Sequence, residues 1–187
     1  MTAIPQPSTI RSSESTKKLL VLGSDHVGAV MKRELSDFLK GPAGDGWDIL
    51  DVGASANGGW HFGKLIVQLV TQVDYPDYGA AAANAVLDQS GTYEQRLGIV
   101  ICGSGIGISI AANKIKGIRC ALCHDHYTAL MARKHNDANI LALGARTTGL
   151  DVAKDMVSVF LSTPFDGAHH SIRLNKLHEL EGCSYAC

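Results

Sequence analysis

The feature that most constrains the fold is an alternation of short apolar runs with longer segments of helical period. Leu19 to Leu22, Asp48 to Val52, Gly98 to Ile101, Arg119 to Cys123 and Asn139 to Leu143 read as short strands buried on both faces. Val27 to Lys40, Tyr78 to Gln89, Ile106 to Ile115, Tyr127 to His135 and Leu150 to Ser162 are long enough for crossover helices, with apolar positions recurring at three and four residues. Strands and helices that alternate in this way build a parallel sheet covered on both sides. The expectation is a doubly wound, five-stranded parallel α/β sheet of Rossmann or flavodoxin-like type, strand order 2-1-3-4-5, with a helix near the C-terminus.

That order places a ligand crevice at the carboxyl ends of strands 1 and 3, where the connections leave toward opposite faces. Ser24, Asp25 and His26 occupy one end, and Cys102, Gly103, Ser104, Gly105, Ile106 and Gly107 the other. Glycines leading into a helix let the backbone approach a ligand and expose amide donors to an anion. A dinucleotide fingerprint would place its third glycine at 108, which is Ile108, and no Gly-Lys-Ser/Thr triplet supports a P-loop. Cys102 stands where a strand ends and a helix begins, so the helix dipole and nearby amides should favour its thiolate, making it a candidate base or nucleophile. Cys120, Cys123, His124 and His126 have the residue types of a metal cluster. Neighbouring strand positions diverge, however, and no second pair has zinc spacing, so no metal is expected.

A chain of 187 residues suits one domain, here expected over residues 17–182. Met1 to Thr16 contains two prolines and seven Ser or Thr, the composition of a disordered tail, and residues 183–187 form a polar C-terminal tail. The formal net charge of −1 provides no broad footprint for nucleic acid, and no apolar run is long enough to span a membrane. Five unevenly spaced cysteines do not make a disulfide framework, and with no secretory pattern the expected location is cytoplasmic.

Several separated strings, in order, resemble the ribose-5-phosphate isomerase B family, which includes the galactose-6-phosphate isomerase subunits. They are Gly23-Ser24-Asp25-His26-Val27-Gly28, Asp74-Tyr75-Pro76-Asp77-Tyr78 and Ile101-Cys102-Gly103-Ser104-Gly105-Ile106-Gly107, followed by Ala111-Ala112-Asn113-Lys114 and His135-Asn136-Asp137-Ala138-Asn139. The resemblance implies an aldose–ketose isomerase of the pentose phosphate pathway that interconverts ribose 5-phosphate and ribulose 5-phosphate through a cis-enediol, without metal, nucleotide or other cofactor. It also implies a homodimer with shared active sites, able to pair further into a tetramer.

Carried over by residue, Cys102 matches the base that moves a proton between C1 and C2. A second branch of the family uses a glutamate six residues later, where this chain has Ile108. Ser104 matches the residue that assists transfer, and the amides from Gly103 to Gly107, including Gly105 and Ile106, match the enediolate donors. His135 matches the group that opens the sugar ring, with Asn136 beside it. Asp25, His26 and Tyr75 match substrate-binding positions. Arg146 and Arg173 match phosphate-binding arginines, and between them the family's Gly-Gly-Arg-His becomes Gly167-Ala168-His169-His170, so that His169 replaces a guanidinium with an imidazole.

A second departure is an apparent insertion at 57–73. Phe62, Leu65, Ile66, Leu69, Val70 and Val73 step along it as one face of an amphipathic helix; a retained non-coding segment in the gene would produce the same interruption. The alternatives to a pentose phosphate isomerase are an isomerase of allose 6-phosphate or galactose 6-phosphate, and a non-catalytic sugar-phosphate-binding module. Such a module would keep Asp25 and Arg146 but has no use for Cys102 and His135 together.

Overall fold

The computed structural model describes residues 17–54 and 72–182. The expected tails at 1–16 and 183–187, and the expected helix of the insertion up to residue 71, lie outside the described residues. Strands β1 (Lys18–Ser24), β2 (Trp47–Asp51), β3 (Gln95–Cys102), β4 (Cys120–Leu122) and β5 (Ile140–Gly144) form a parallel sheet. Helices α1 (Ala29–Phe38), α2 (Tyr75–Leu87), α3 (Ile106–Asn113), α4 (His126–Asn136), α5 (Leu150–Ser162) and α6 (His169–Leu180) cover it. Among the described residues, no helix is long and apolar enough to cross a membrane.

Alternation along the strands sends side chains into two separate cores. Leu20, Leu22, Ile99, Ile101, Leu141 and Leu143 pack beneath α1, α4 and α5, around the fully buried Phe160. Leu19, Val21, Val100, Ile140 and Ala142 pack on the other side against Ala82, Ala83 and Val86 of α2 and Ile108 and Ala112 of α3. Each large side chain so buried contributes roughly 1.5–3 kcal/mol from area alone. Small residues dominate α2, which lets it lie close: a Cβ on Gly79 would come within 3.0 Å of Ala111 Cβ on α3.

The strand order is β2-β1-β3-β5-β4, which corrects the expected 2-1-3-4-5. The last two strands exchange places for a reason visible in their side chains. Every residue of β5 is buried, and it pairs along its length with β3, from Gly98 opposite Ile140 to Cys102 opposite Gly144. The three residues of β4 are only half-buried, as suits an edge. Asn113 closes that edge by mimicking a further strand: its Nδ2 donates to the Cys120 carbonyl and its Oδ1 accepts from the Cys120 amide, both at 2.8 Å. Right-handed crossovers then account for the layers: the chain steps outward from β3 to β4 through α3 and back to β5 through α4 on the opposite face.

Helix α2 starts at Tyr75, earlier than its apolar period suggests, because Pro76 is preset for a first turn whose amide would be unpaired anyway. Helix α4 begins with a reciprocal cap. The Thr128 amide donates to Asp125 Oδ1 at 2.7 Å, and the Asp125 amide donates to Thr128 Oγ1 at 3.3 Å.

Candidate active site

The exchange of β4 and β5 leaves the divergence of connections after β1 and β3 intact, so the crevice remains at their carboxyl ends. Ser24 is fully buried there, and Asp25, 5% exposed, receives the Gly28 amide on Oδ1 at 2.9 Å. Gly28 has no room for a side chain, since a Cβ would lie 2.4 Å from the Ile101 carbonyl oxygen. His26 Nδ1 lies 3.1 Å from the Val73 carbonyl, tying the β1 end to the residues just before Tyr75. Beneath them Lys32, 4% exposed, reaches from α1 to Asp51 at 2.5 Å and ties that helix to the end of β2.

Cys102 ends β3 with 4% exposure, and the Gly105 amide donates to its Sγ at 3.2 Å. The three glycines that follow serve different ends. At Gly103 a Cβ would meet the Arg146 side chain only at ordinary contact distance, 3.8 Å from its Cδ, and the position instead anchors that residue by accepting the Arg146 amide on its carbonyl at 2.9 Å. Gly105 takes the left-handed φ of 78° that caps α3, and a Cβ would strike Leu122 Cδ1 at 2.5 Å. Gly107 accommodates the Tyr75 ring, which would stand 2.6 Å from a Cβ. Ser104 Oγ accepts weakly from the Ile106 amide at 3.4 Å. Asp25, His26, Tyr75, the loop from Cys102 to Gly107 and the exposed Arg146 therefore share one end of the sheet.

The remaining expected residues do not. His135 and Asn136 end α4, which runs back along the sheet and delivers the chain to the start of β5. The Ala145 amide, beyond the other end of β5, donates to the Cys102 carbonyl. Five residue steps of strand, roughly 16 Å, therefore separate His135 from the Cys102 level. His169, His170 and Arg173 start α6 at the same far end of the strands. The His135 and His170 rings stack at 4.1 Å, and His169 lies against His170 at 3.9 Å. The sequence pattern gives His170 no role beyond its place in the adjacent His169-His170 pair that opens α6.

Desolvation, reinforced by the charges of His169, His135 and Arg173, holds the His170 imidazole below its ordinary value, with Asp166 opposing. Its contribution to stability is therefore present above the unfolded-state pKa and is lost as pH falls through the lower folded value. In a proton NMR titration, His170 should show a midpoint below about 6.5, and His169→Ala should raise it by removing a neighbouring cation. A midpoint at or above that value, unmoved by His169→Ala, would contradict this electrostatic picture.

Among the described residues, the other two thiols are unsuited to proton transfer. Burial pushes Cys120 up to about 12, with Cys123 adding to the effect, and pushes Cys123 up to about 11 against a hydrogen bond from Thr128. Among the described residues, no three His, Cys, Asp or Glu side chains are grouped as a metal would require.

The Ribose/Galactose Isomerase family profile matches residues 20–177. Ribose-5-phosphate isomerase B of Escherichia coli is 36% identical over 164 residues, covering 88% of this chain and 97% of the relative. The solved structure of Clostridium thermocellum ribose-5-phosphate isomerase B is similar with 47% identity and a TM-score of 0.71, covering 87% of this chain and 97% of that one. Ribose-5-phosphate isomerase B from Mycoplasma genitalium, solved with bound ribulose-5-phosphate, is 32% identical with a TM-score of 0.72, covering 89% and 97%.

Proposed function

The chain belongs to the ribose/galactose isomerase family of sugar-phosphate aldose–ketose isomerases, and from that premise we propose that its substrate pair is ribose 5-phosphate and ribulose 5-phosphate. The observation that carries this reading is the content of one crevice: the Cys102 sulfur, a run of loop amides, and the Arg146 side chain lying along Gly103. In the open-chain aldose, the Cys102 thiolate takes the proton from C2. The electron pair left behind forms the C1–C2 double bond, and the carbonyl oxygen at C1 becomes an enediolate. Amides between Gly103 and Gly107 face that developing charge, the kind of preorganised donor that lowers such barriers most. The thiol then returns the proton to C1 while the C2 hydroxyl becomes the carbonyl, and the proton that hydroxyl gives up passes, with Ser104 assisting, to the C1 oxygen, which completes the ketose. No metal, nucleotide or other cofactor takes part in this sequence. Asp25, His26 and Tyr75 hold the sugar hydroxyls.

Ring opening and phosphate capture are assigned to His135, with Asn136 beside it, and to Arg173 and His169 alongside Arg146. Because His135 and the start of α6 lie at the far end of the strands, the site is complete only when a second copy brings that end to the Cys102 crevice. The surface for this contact is the exposed face of α3, where Ile106 and Ile110, one turn apart, are 53% and 55% exposed beside the loop. We thus assign residues 17–182 as one isomerase domain that works as a homodimer with two shared sites.

The test is a substrate panel with excess chelator: ribose 5-phosphate, allose 6-phosphate and galactose 6-phosphate, each followed by ketose formation. The expected result is a kcat/KM highest for ribose 5-phosphate and unchanged by EDTA. Faster turnover of a hexose phosphate would move the chain to the six-carbon alternative, and loss of activity restored by a divalent ion would overturn the proton-transfer scheme.

A further inference from the structure

Asp137 stands two residues beyond His135, in a left-handed conformation (φ 42°, ψ 43°) that closes α4. The Ala138 amide reaches back to the Ala132 carbonyl at 2.9 Å and the Asp137 amide to the Arg133 carbonyl at 3.1 Å, a helix ending in which this position is usually glycine. Aspartate tolerates this backbone less readily than glycine, so its presence calls for a side-chain reason. Its two oxygens supply one. Oδ1 accepts from Arg133 Nη1 at 2.8 Å and Oδ2 from Arg119 Nη2 at 2.9 Å.

Both arginines are themselves anchored. Arg133, 5% exposed, also donates to the Ala138 carbonyl at 2.7 Å and lies over the Phe160 ring. Arg119 Nε donates to the Asp137 and Asn136 carbonyls at 2.9 and 3.2 Å, placing a cation where the carbonyls at the end of α4 need one. Its Nη1 lies 3.3 Å from His178 Nε2 on α6; since a guanidinium can only donate, that nitrogen accepts. Asn139 completes the frame by accepting from the Arg119 amide and donating to the Gly117 carbonyl.

We propose that Asp137, clamped between Arg119 and Arg133, is a positioning residue that fixes the His135 imidazole. Through the Arg119–His178 contact, the same clamp holds the helix that carries His170, the ring stacked on His135. This deepens the reading of His135 as the ring-opening group and rests on it. The carboxylate touches no reacting atom. It sets where the imidazole points, and misplacement of a proton-transfer group by about an ångström is enough to cost up to roughly 100-fold in rate.

Asp137→Asn isolates the clamp, because asparagine accepts the left-handed backbone and removes only the charge and one strong acceptor. Arg119→Gln is the second variant; it leaves the Arg133–Asp137 pair in place should the first fail to fold. In both, the His135 ring proton and nitrogen signals should shift from their wild-type positions. With ribose 5-phosphate, kcat should fall about tenfold while a four-carbon aldose phosphate that cannot form a ring turns over within about twofold of wild type. Unmoved His135 signals in the folded variants would overturn the proposal whatever the activity, as would equal losses on both substrates, the mark of general destabilisation. Wild-type protein inactive on every sugar phosphate would instead sink the assigned reaction, and the His135 signals would still decide whether the clamp positions the ring.

Discussion

Cys102→Ala should lose roughly 10³-fold or more in kcat, with substrate binding close to wild type. The asymmetry follows from where the groups lie. One loop amide, that of Gly105, donates to the sulfur, but the loop from Gly103 to Gly107 and the Arg146 side chain have other supports. Gly105 is held by its left-handed turn and its packing on Leu122 and Leu143, and Arg146 by the bond from its own amide to the Gly103 carbonyl. What the variant lacks is the acceptor for a carbon-bound proton, which matters only in the transition state. Exchange of the C2 proton with solvent should therefore fall by the same factor as turnover. Substantial exchange in Cys102→Ala would place the base elsewhere.

His135→Ala should fail differently. On ribose 5-phosphate, which must open before C2 becomes acidic, the loss should reach roughly 10²-fold or more. On a four-carbon aldose phosphate, already open, most of the wild-type rate should return, since the substitution leaves Cys102 and its loop amides in place and removes only the group needed to open a ring. Measuring both variants on both substrates separates the roles. Equal losses by the two on the open-chain substrate would remove this division of labour.

Much of the scaffold is legible in the residue pattern, because strands buried on both faces appear as unbroken apolar runs. Leu150–Ser162 is located to the residue. Strand order is harder, since each run can fill any vacant place in the sheet. The clue lies in comparing Ile140-Leu141-Ala142-Leu143, all fully buried, with the short Cys120-Ala121-Leu122, which only an edge tolerates. The Cys102 loop can be found from sequence because its glycines cluster locally. The Asp137 clamp cannot, because Arg119 and Asp137 are 18 residues apart and nothing in a one-dimensional pattern pairs them. Nor does the pattern show that His135 and Cys102 lie at opposite ends of the strands, which follows only once α4 is seen to run against β5.

One mixing experiment tests directly whether the two chains share each site. Cys102→Ala and His135→Ala chains, each nearly inactive on ribose 5-phosphate, are co-expressed or refolded together. If each site takes Cys102 from one chain and His135 from its partner, a mixed dimer contains one intact site and one doubly defective site. With random pairing of equal amounts, half the dimers are mixed, so activity should return to about a quarter of wild type. Activity no greater than the sum of the two separate variants would contradict the shared site and require both groups to act within one chain.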